Sequence, residues 1–118
     1  MNSEDPFTTR QSKVARLIQK ELGDYFQREA GILAPGKLIT VTVVRVTPDL
    51  SLAKIFLSIF PNTDQDKVVS TIVNATKTIR LELGRKIRNQ VRIIPNLTFE
   101  IDDSMEYFDK IDSLLKKK

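Results

Sequence analysis

A single α+β domain is the fold class this sequence predicts. It consists of a three-stranded sheet covered mainly on one face by amphipathic helices, in the order helix, strand, strand, helix, bent helix, strand, helix. Three observations lead there. Apolar residues recur at steps of three and four before residue 30 and again between residues 68 and 87. Two runs rich in β-branched and alternating apolar residues lie between those stretches, and a third apolar alternation follows residue 90. With 118 residues and 41% apolar side chains, the chain suits one domain with a modest core.

The first helix spans residues 9 to about 29, with Val14, Leu17, Ile18, Leu22, Tyr25 and Phe26 on one face. Gly23 weakens it by about 1 kcal/mol. Gly31 and the Ala34-Pro35-Gly36 turn are expected to end it. The run LITVTVVRVTP then predicts a strand closed by Pro48, and Asp49-Leu50-Ser51 connects it to a second strand, residues 52–60. Strands this close in sequence predict an antiparallel hairpin. The second carries apolar residues on both faces, so it should be internal to the sheet or covered on part of its second face. Phe56 and Phe60 read as core residues rather than as a stacking platform for bases.

Pro61-Asn62 breaks the second strand, after which Thr63 and Asp66 have capping-box spacing and Asp64 is an alternative cap. Helical periodicity runs through Val68, Val69, Ile72 and Val73 and resumes at Ile79, Leu83 and Ile87. One straight helix over residues 64–89 would be long for this domain, and the middle holds weak helix formers. A sharp bend is therefore expected near Ala75, within Asn74-Ala75-Thr76-Lys77. Val91, Ile93, Pro95, Leu97 and Phe99 predict a third strand, at an edge or with a bulge because of Pro95. Asp103-Ser104-Met105-Glu106 then reads as a capping box before a final helix with Met105, Phe108, Ile111 and Leu115 on one face. The expected organisation is a leader over 1–8, a domain over 9–101, and an acidic-to-basic C-terminal helix over 102–118 packed on or near it.

The chain has no His and no Cys, which excludes a Cys/His zinc site, a thiol or Ser-His-Asp nucleophile, disulfides and a histidine switch. The acidic group Glu100, Asp102, Asp103 and Glu106 lies in a connection with two members in capping roles, a poor setting for a metal or for acid–base chemistry. No enzyme activity, metal or cofactor is expected. No apolar run approaches the roughly 18 residues needed to cross a bilayer, and the polar start MNSEDPFTTR does not resemble a secretory signal. A cytoplasmic location is the expectation.

Charge carries the functional signal. Residues 1–99 hold 15 basic and 9 acidic side chains, whereas residues 100–118 hold 4 and 6. A basic body points to a polyanionic partner. Within it, Lys77, Arg80, Arg85, Lys86, Arg88 and Arg92 are opposed only by Glu82, and arginine's planar fork matches phosphate. A nucleic-acid surface is favoured here over a solvated face or a protein-binding surface. On the first helix, Arg10, Lys13, Arg16 and Lys20 lie off the apolar stripe and by themselves read first as its solvated side. Leu81 projects onto the basic side.

Three stretches, taken together, resemble the ribosome-binding factor A family: RQSKVARLIQKEL at residues 10–22, VVRVTPDLSLAKIFLSIF at 43–60, and IRLELGRKIRNQVRIIPNLTF at 79–99. The acidic-serine lead Asp102-Asp103-Ser104 follows, and the resemblance covers residues 9 to 115. It implies a type II KH-like domain. Typical KH domains grip nucleotides with a GXXG loop, which this chain lacks. The resemblance implies an Ala-x-Gly kink at that point instead. The matching residues here are Ala75, Thr76 and Lys77, so lysine replaces the glycine, which raises the question of a positive φ at Lys77.

The resemblance further implies a non-catalytic factor in late maturation of the small (30S) subunit. Such a factor binds 16S ribosomal RNA near the neck and decoding region, assists RNA processing, is released before translation, and supports growth in the cold. The expected partners are 16S ribosomal RNA and the immature subunit, with ribosomal proteins or other assembly factors as further candidates, and the chain is expected to be a monomer. The candidate RNA contacts are Arg10, Lys13, Arg16, Lys20, Lys77, Arg80, Arg85, Lys86, Arg88 and Arg92, with Arg45 and Lys54 from the hairpin. The alternatives are a general single-stranded RNA binder on the same fold, or an adaptor docking through its acidic final helix.

Overall fold

The computed structural model describes residues 8–102. Helix α1, Thr9–Leu33, is followed by strands β1, Leu38–Val46, and β2, Leu52–Phe60. Helices α2, Gln65–Asn74, and α3, Thr76–Ile87, then lead to strand β3, Asn96–Ile101. The sheet order is β1-β2-β3, with β1 and β2 antiparallel and β2 and β3 parallel. The predicted hairpin and bend are therefore present, and β2 is the central strand. The expected C-terminal helix lies outside the described residues.

One face of the sheet meets the helices. Ile39, Val41, Val44 and Val46 of β1, the buried Ala53, Ile55, Leu57 and Ile59 of β2, and Leu97 and Phe99 of β3 point inward. They pack with Ile18, Leu22 and Phe26 of α1, Ile72 of α2 and Ile79, Leu83 and Ile87 of α3. Phe26 stands edge-on to both Tyr25 and Phe99, with ring centroids 5.5 and 6.0 Å apart. A β-bulge at Thr42 shifts the register between Val41 and Val43. The inward set changes there from odd to even numbers, so the apolar face survives an insertion that would otherwise invert it.

Among the described residues, none covers the other face. It presents Leu38, Thr40, Val43 and Arg45 opposite Phe60, Ser58, Phe56 and Lys54, with Thr98 and Glu100 of β3 alongside. Phe60 is 71% exposed and Phe56 half-buried, which corrects the expectation that both belong to the core. Both side chains point away from the helices, and alternation alone does not tell which face of a strand is covered.

Several boundaries also differ from the sequence reading. α1 runs through Gly31 to Leu33 because the buried Ala30 and Ala34 keep the last turn on the core. It starts from a capping box: the Thr8 hydroxyl accepts from the Gln11 N–H at 3.1 Å, and the Gln11 side chain accepts from the Thr8 N–H at 2.9 Å. Gln11 is buried and also donates to the Val46 carbonyl at 2.8 Å, while Gln19 donates to the Val41 and Thr42 carbonyls. These two side chains cover the β1 edge.

The Thr63/Asp66 box does not form. Asp64 caps α2 from a left-handed conformation, φ 59°, without a side-chain hydrogen bond. The Thr63 hydroxyl and carbonyl accept instead from the Lys37 ammonium. β3 begins at Asn96 and not near Val91. Pro95 lacks an N–H, and the ladder opens where the Asn96 N–H donates to the Ser51 carbonyl at 2.9 Å.

Candidate nucleic-acid interface

The bend is one residue wide. Ala75 has φ −95° and ψ 6°, and its N–H donates to the Ile72 carbonyl at 3.0 Å while its carbonyl accepts from Ile79 at 2.9 Å. The Thr76 hydroxyl donates to the Val73 carbonyl at 2.7 Å, which closes the turn from the side-chain end. Lys77 already lies in the first turn of α3. The only non-glycine residues with positive φ among those described are Leu50 and Asp64. The bend therefore needs no glycine at position 77, and the lysine places its charge beside it without backbone strain.

A groove of about 450 Å³ runs between the start of α3 and the start of β3, lined by Thr76, Lys77, Arg80, Leu81, Asn96 and Leu97. Leu81 is 58% exposed on its wall. Arg80 has a different role from its neighbours. Its guanidinium donates to the Pro95 carbonyl at 3.0 Å and to the Ile94 carbonyl at 2.7 Å, fixing the segment that leads into β3. Gly84 sits over Ile94, where an added Cβ would find ordinary contact at 3.6 Å, so close backbone approach does not require this glycine.

A second groove, about 420 Å³, lies between α1 and the segment after α3, lined by Lys13, Val14, Arg16, Leu17, Lys20, Gln90 and Val91. The fold thereby brings the basic residues of α1 beside the chain that carries Arg88 and Arg92. Arg10, Lys13, Arg16 and Lys20 are exposed, as are Lys77, Arg85, Lys86, Arg88 and Arg92. Arg16 also lines a third groove with Arg45 against the β1 edge. Arg45 and Lys54 are directly opposite on the open sheet face, away from the α2–α3 surface. The candidate cations accordingly form a helical surface and a sheet-face pair, which meet only where Arg16 and Arg45 share a groove.

Glu82, the single acid within the basic run, is turned toward Arg28 of α1, with 3.7 Å between them. Such an exposed pair contributes little stability, about 0–1 kcal/mol. Arg28 also lies 5.6 Å from the centre of the Tyr25 ring. Burial, with smaller effects from Glu29 and Glu82, raises the Tyr25 phenol above its ordinary value. Among the described residues, no carboxylate pairs with Lys77, Arg85, Lys86, Arg88 or Arg92. Their charge is directed to solvent.

The Thr47-Pro48-Asp49-Leu50-Ser51 motif is structural. The Asp49 carboxylate accepts from the hydroxyls of Ser51 and Thr47, each at 2.8 Å, and from the Ser51 N–H at 3.1 Å. The Ser51 hydroxyl above all, then Thr47 and the Ser51 N–H, holds this carboxyl below the usual carboxylate range. Leu50 adopts φ 62° and is buried. Of the acidic group, Asp102 accepts from the Thr42 hydroxyl at 2.6 Å, and Asp103 and Glu106 lie outside the described residues. Sequence reasoning missed Gln11, although the Thr8-x-x-Gln11 spacing is a legible capping signal.

The α-β-β-α-α-β order, with a helix pair bent beside a parallel edge strand, defines a type II KH-like domain bearing a cationic helical surface. The sequence profile of ribosome-binding factor A matches residues 10–115. Ribosome-binding factor A of Cytophaga hutchinsonii is 46% identical over 110 residues, covering 93% of this chain and 83% of that protein. The Christiangramia forsetii protein of the same name is 44% identical over 114 residues, covering 94% and 86%.

The crystal structure of ribosome-binding factor A from Thermus thermophilus superposes with a TM-score of 0.66 at 19% identity, covering 77% of this chain and 94% of that one. A homology model of the Thermus thermophilus factor, fitted into the cryo-electron microscopy map of its complex with the 30S subunit, gives 0.58 at 19% identity, covering 83% and 97%. At that identity the structural likeness speaks for the fold. The chain belongs to the ribosome-binding factor A family.

Proposed function

We infer that this protein is a non-catalytic assembly factor of the small ribosomal subunit, acting in the cytoplasm on 16S ribosomal RNA near the neck and decoding region. It works by binding. Stabilising one RNA conformer shifts its population only by the difference in affinity between conformers, so the factor assists late maturation by preferring the immature arrangement. Lys77, Arg85, Lys86, Arg88 and Arg92 hold phosphates along α3 and the chain after it. Arg10, Lys13, Arg16 and Lys20 extend that surface onto α1. Arg80 acts here as a positioning residue for the groove beside the bend, and Arg45 and Lys54 add contacts from the sheet.

The observation that carries this reading is the row of exposed cations on α3 with no carboxylate partner among the described residues. The fitted 30S complex of the Thermus thermophilus homologue supports the choice of partner. The test is cosedimentation with small subunits from a strain lacking the factor. An Arg85→Glu/Arg88→Glu variant with an unchanged circular dichroism spectrum should leave the subunit fraction, and wild-type binding should fall steeply with salt. Undiminished cosedimentation of the variant would remove this surface from the function. Equal affinity for short single-stranded RNAs would favour a general RNA binder instead.

A further inference from the structure

Strand β1 is an outer strand of the sheet, and α1 caps its free edge on either side of a gap. The Thr47 N–H donates across to the Leu52 carbonyl, so alternation turns the N–H and C=O of Thr47 and Arg45 toward β2 and those of Val46 and Val44 outward. Gln11 donates to the outward Val46 carbonyl at 2.8 Å. At the bulge, Gln19 donates to the carbonyls of Val41 and Thr42, each at 3.3 Å. Positions 11, 15 and 19 share one face of the helix, and the middle one is alanine. A methyl group makes no hydrogen bond, so the third cap is missing. Among the described residues, nothing bonds to the Val44 N–H or carbonyl.

Over this gap lies the groove of about 280 Å³ that Arg16 and Arg45 share, with Ser12, Ala15 and Val44 also in its lining. No carboxylate among the described residues lines it. Arg16 is exposed and also lines the groove that holds Lys13 and Lys20, so the gap continues the cationic surface of α1. An added peptide strand would need partners at successive outward residues, and the glutamines already occupy those on either side of Val44. A single planar group needs only one N–H and one C=O. An unstacked nucleobase carries a donor and an acceptor side by side on its pairing edge, and it arrives with a phosphate.

We propose, resting on the RNA-binding reading, that this gap receives one unpaired base of the bound RNA. The base pairs with the N–H and carbonyl of Val44 between the two glutamines, and Arg16 holds its phosphate. The cationic surface of α1 thereby supplies affinity, while the strand edge beside it supplies a contact to a base.

The test uses the full-length protein and small subunits from a strain lacking the factor. Ala15→Gln supplies the missing cap and fills the gap, whereas Ala15→Ser leaves it open. Dimethyl sulfate and carbodiimide probe the pairing edges of unpaired bases, and hydroxyl radicals probe the RNA backbone. The parent and Ala15→Ser should shield the same unpaired base. Ala15→Gln, with an unchanged circular dichroism spectrum, should expose that base, keep the backbone protections and bind about tenfold more weakly, the order of one bidentate base contact. Ala15→Leu, which fills the gap without hydrogen bonds, should do the same and serves as the second variant. No shielded base in the parent complex, or shielding that persists in both filled variants, would overturn the proposal. The RNA-binding reading would still stand, because it fails only if Arg85→Glu/Arg88→Glu cosediments undiminished. Saturation of the Val44 amide signal by adenosine monophosphate alone at micromolar concentration would also overturn the proposal, assigning the gap to a free nucleotide.

Discussion

Arg80 and Arg85 lie on one helix with the same charge, yet the structure assigns them different roles, and replacing each by alanine separates them. Arg80 makes two hydrogen bonds, at 3.0 and 2.7 Å, to consecutive carbonyls before β3. Bonds from a charged donor contribute about 1.5–3 kcal/mol each. Exposure lets water replace part of that, so Arg80→Ala should cost about 2 kcal/mol in total. For a domain near 100 residues, 1 kcal/mol moves the melting temperature by about 4–8 °C, so the loss should be about 8–16 °C.

Arg85 makes no such bonds among the described residues, and Arg85→Ala should stay within about 0.5 kcal/mol of the parent. Thermal and urea unfolding followed by circular dichroism reads the stability side. Subunit binding at several salt concentrations reads the other. Arg85→Ala should weaken binding and lower the slope of log affinity against log salt by about 0.7–0.9, the share of one phosphate contact. If Arg80→Ala melted with the parent, or Arg85→Ala lost as much stability as Arg80→Ala, the division of roles would be wrong.

Two further outcomes follow from the same geometry. Restoring a glycine with Lys77→Gly should destabilise the fold by up to about 1 kcal/mol, because position 77 is helical and gains nothing from glycine's freedom; a more stable variant in urea titration would show strain that φ does not record. Asp49→Ala should destabilise the β1–β2 turn in a pH-dependent way. The folded carboxyl titrates below its ordinary value of 3.8, so its contribution is present above that pH and lost as pH falls through the folded value. The stability gap between wild type and variant should therefore close in acid, and a gap that widened there would contradict the turn geometry.

Much of this protein is determined locally. The apolar stripe of α1, the β-branched run of β1 and the alternation in β2 fix element type because burial requires a period that matches the backbone. β2 occupies the predicted residues 52–60, and the weak helix formers around Ala75 mark the bend. The absence of His and Cys and the excess of basic over acidic residues bound the chemistry from composition alone. Tertiary structure decided which of these features face outward and which are held. Phe60 follows the same alternation as any strand residue, and it is exposed because α1, α2 and α3 all lie on the other face of the sheet. Arg80 and Arg85 are indistinguishable by type, and what separates them is the carbonyls of Ile94 and Pro95 beside one of them. A carbonyl's position is set by the path of the whole chain, so a side chain's identity cannot reveal whether it will be met by its own backbone or by solvent.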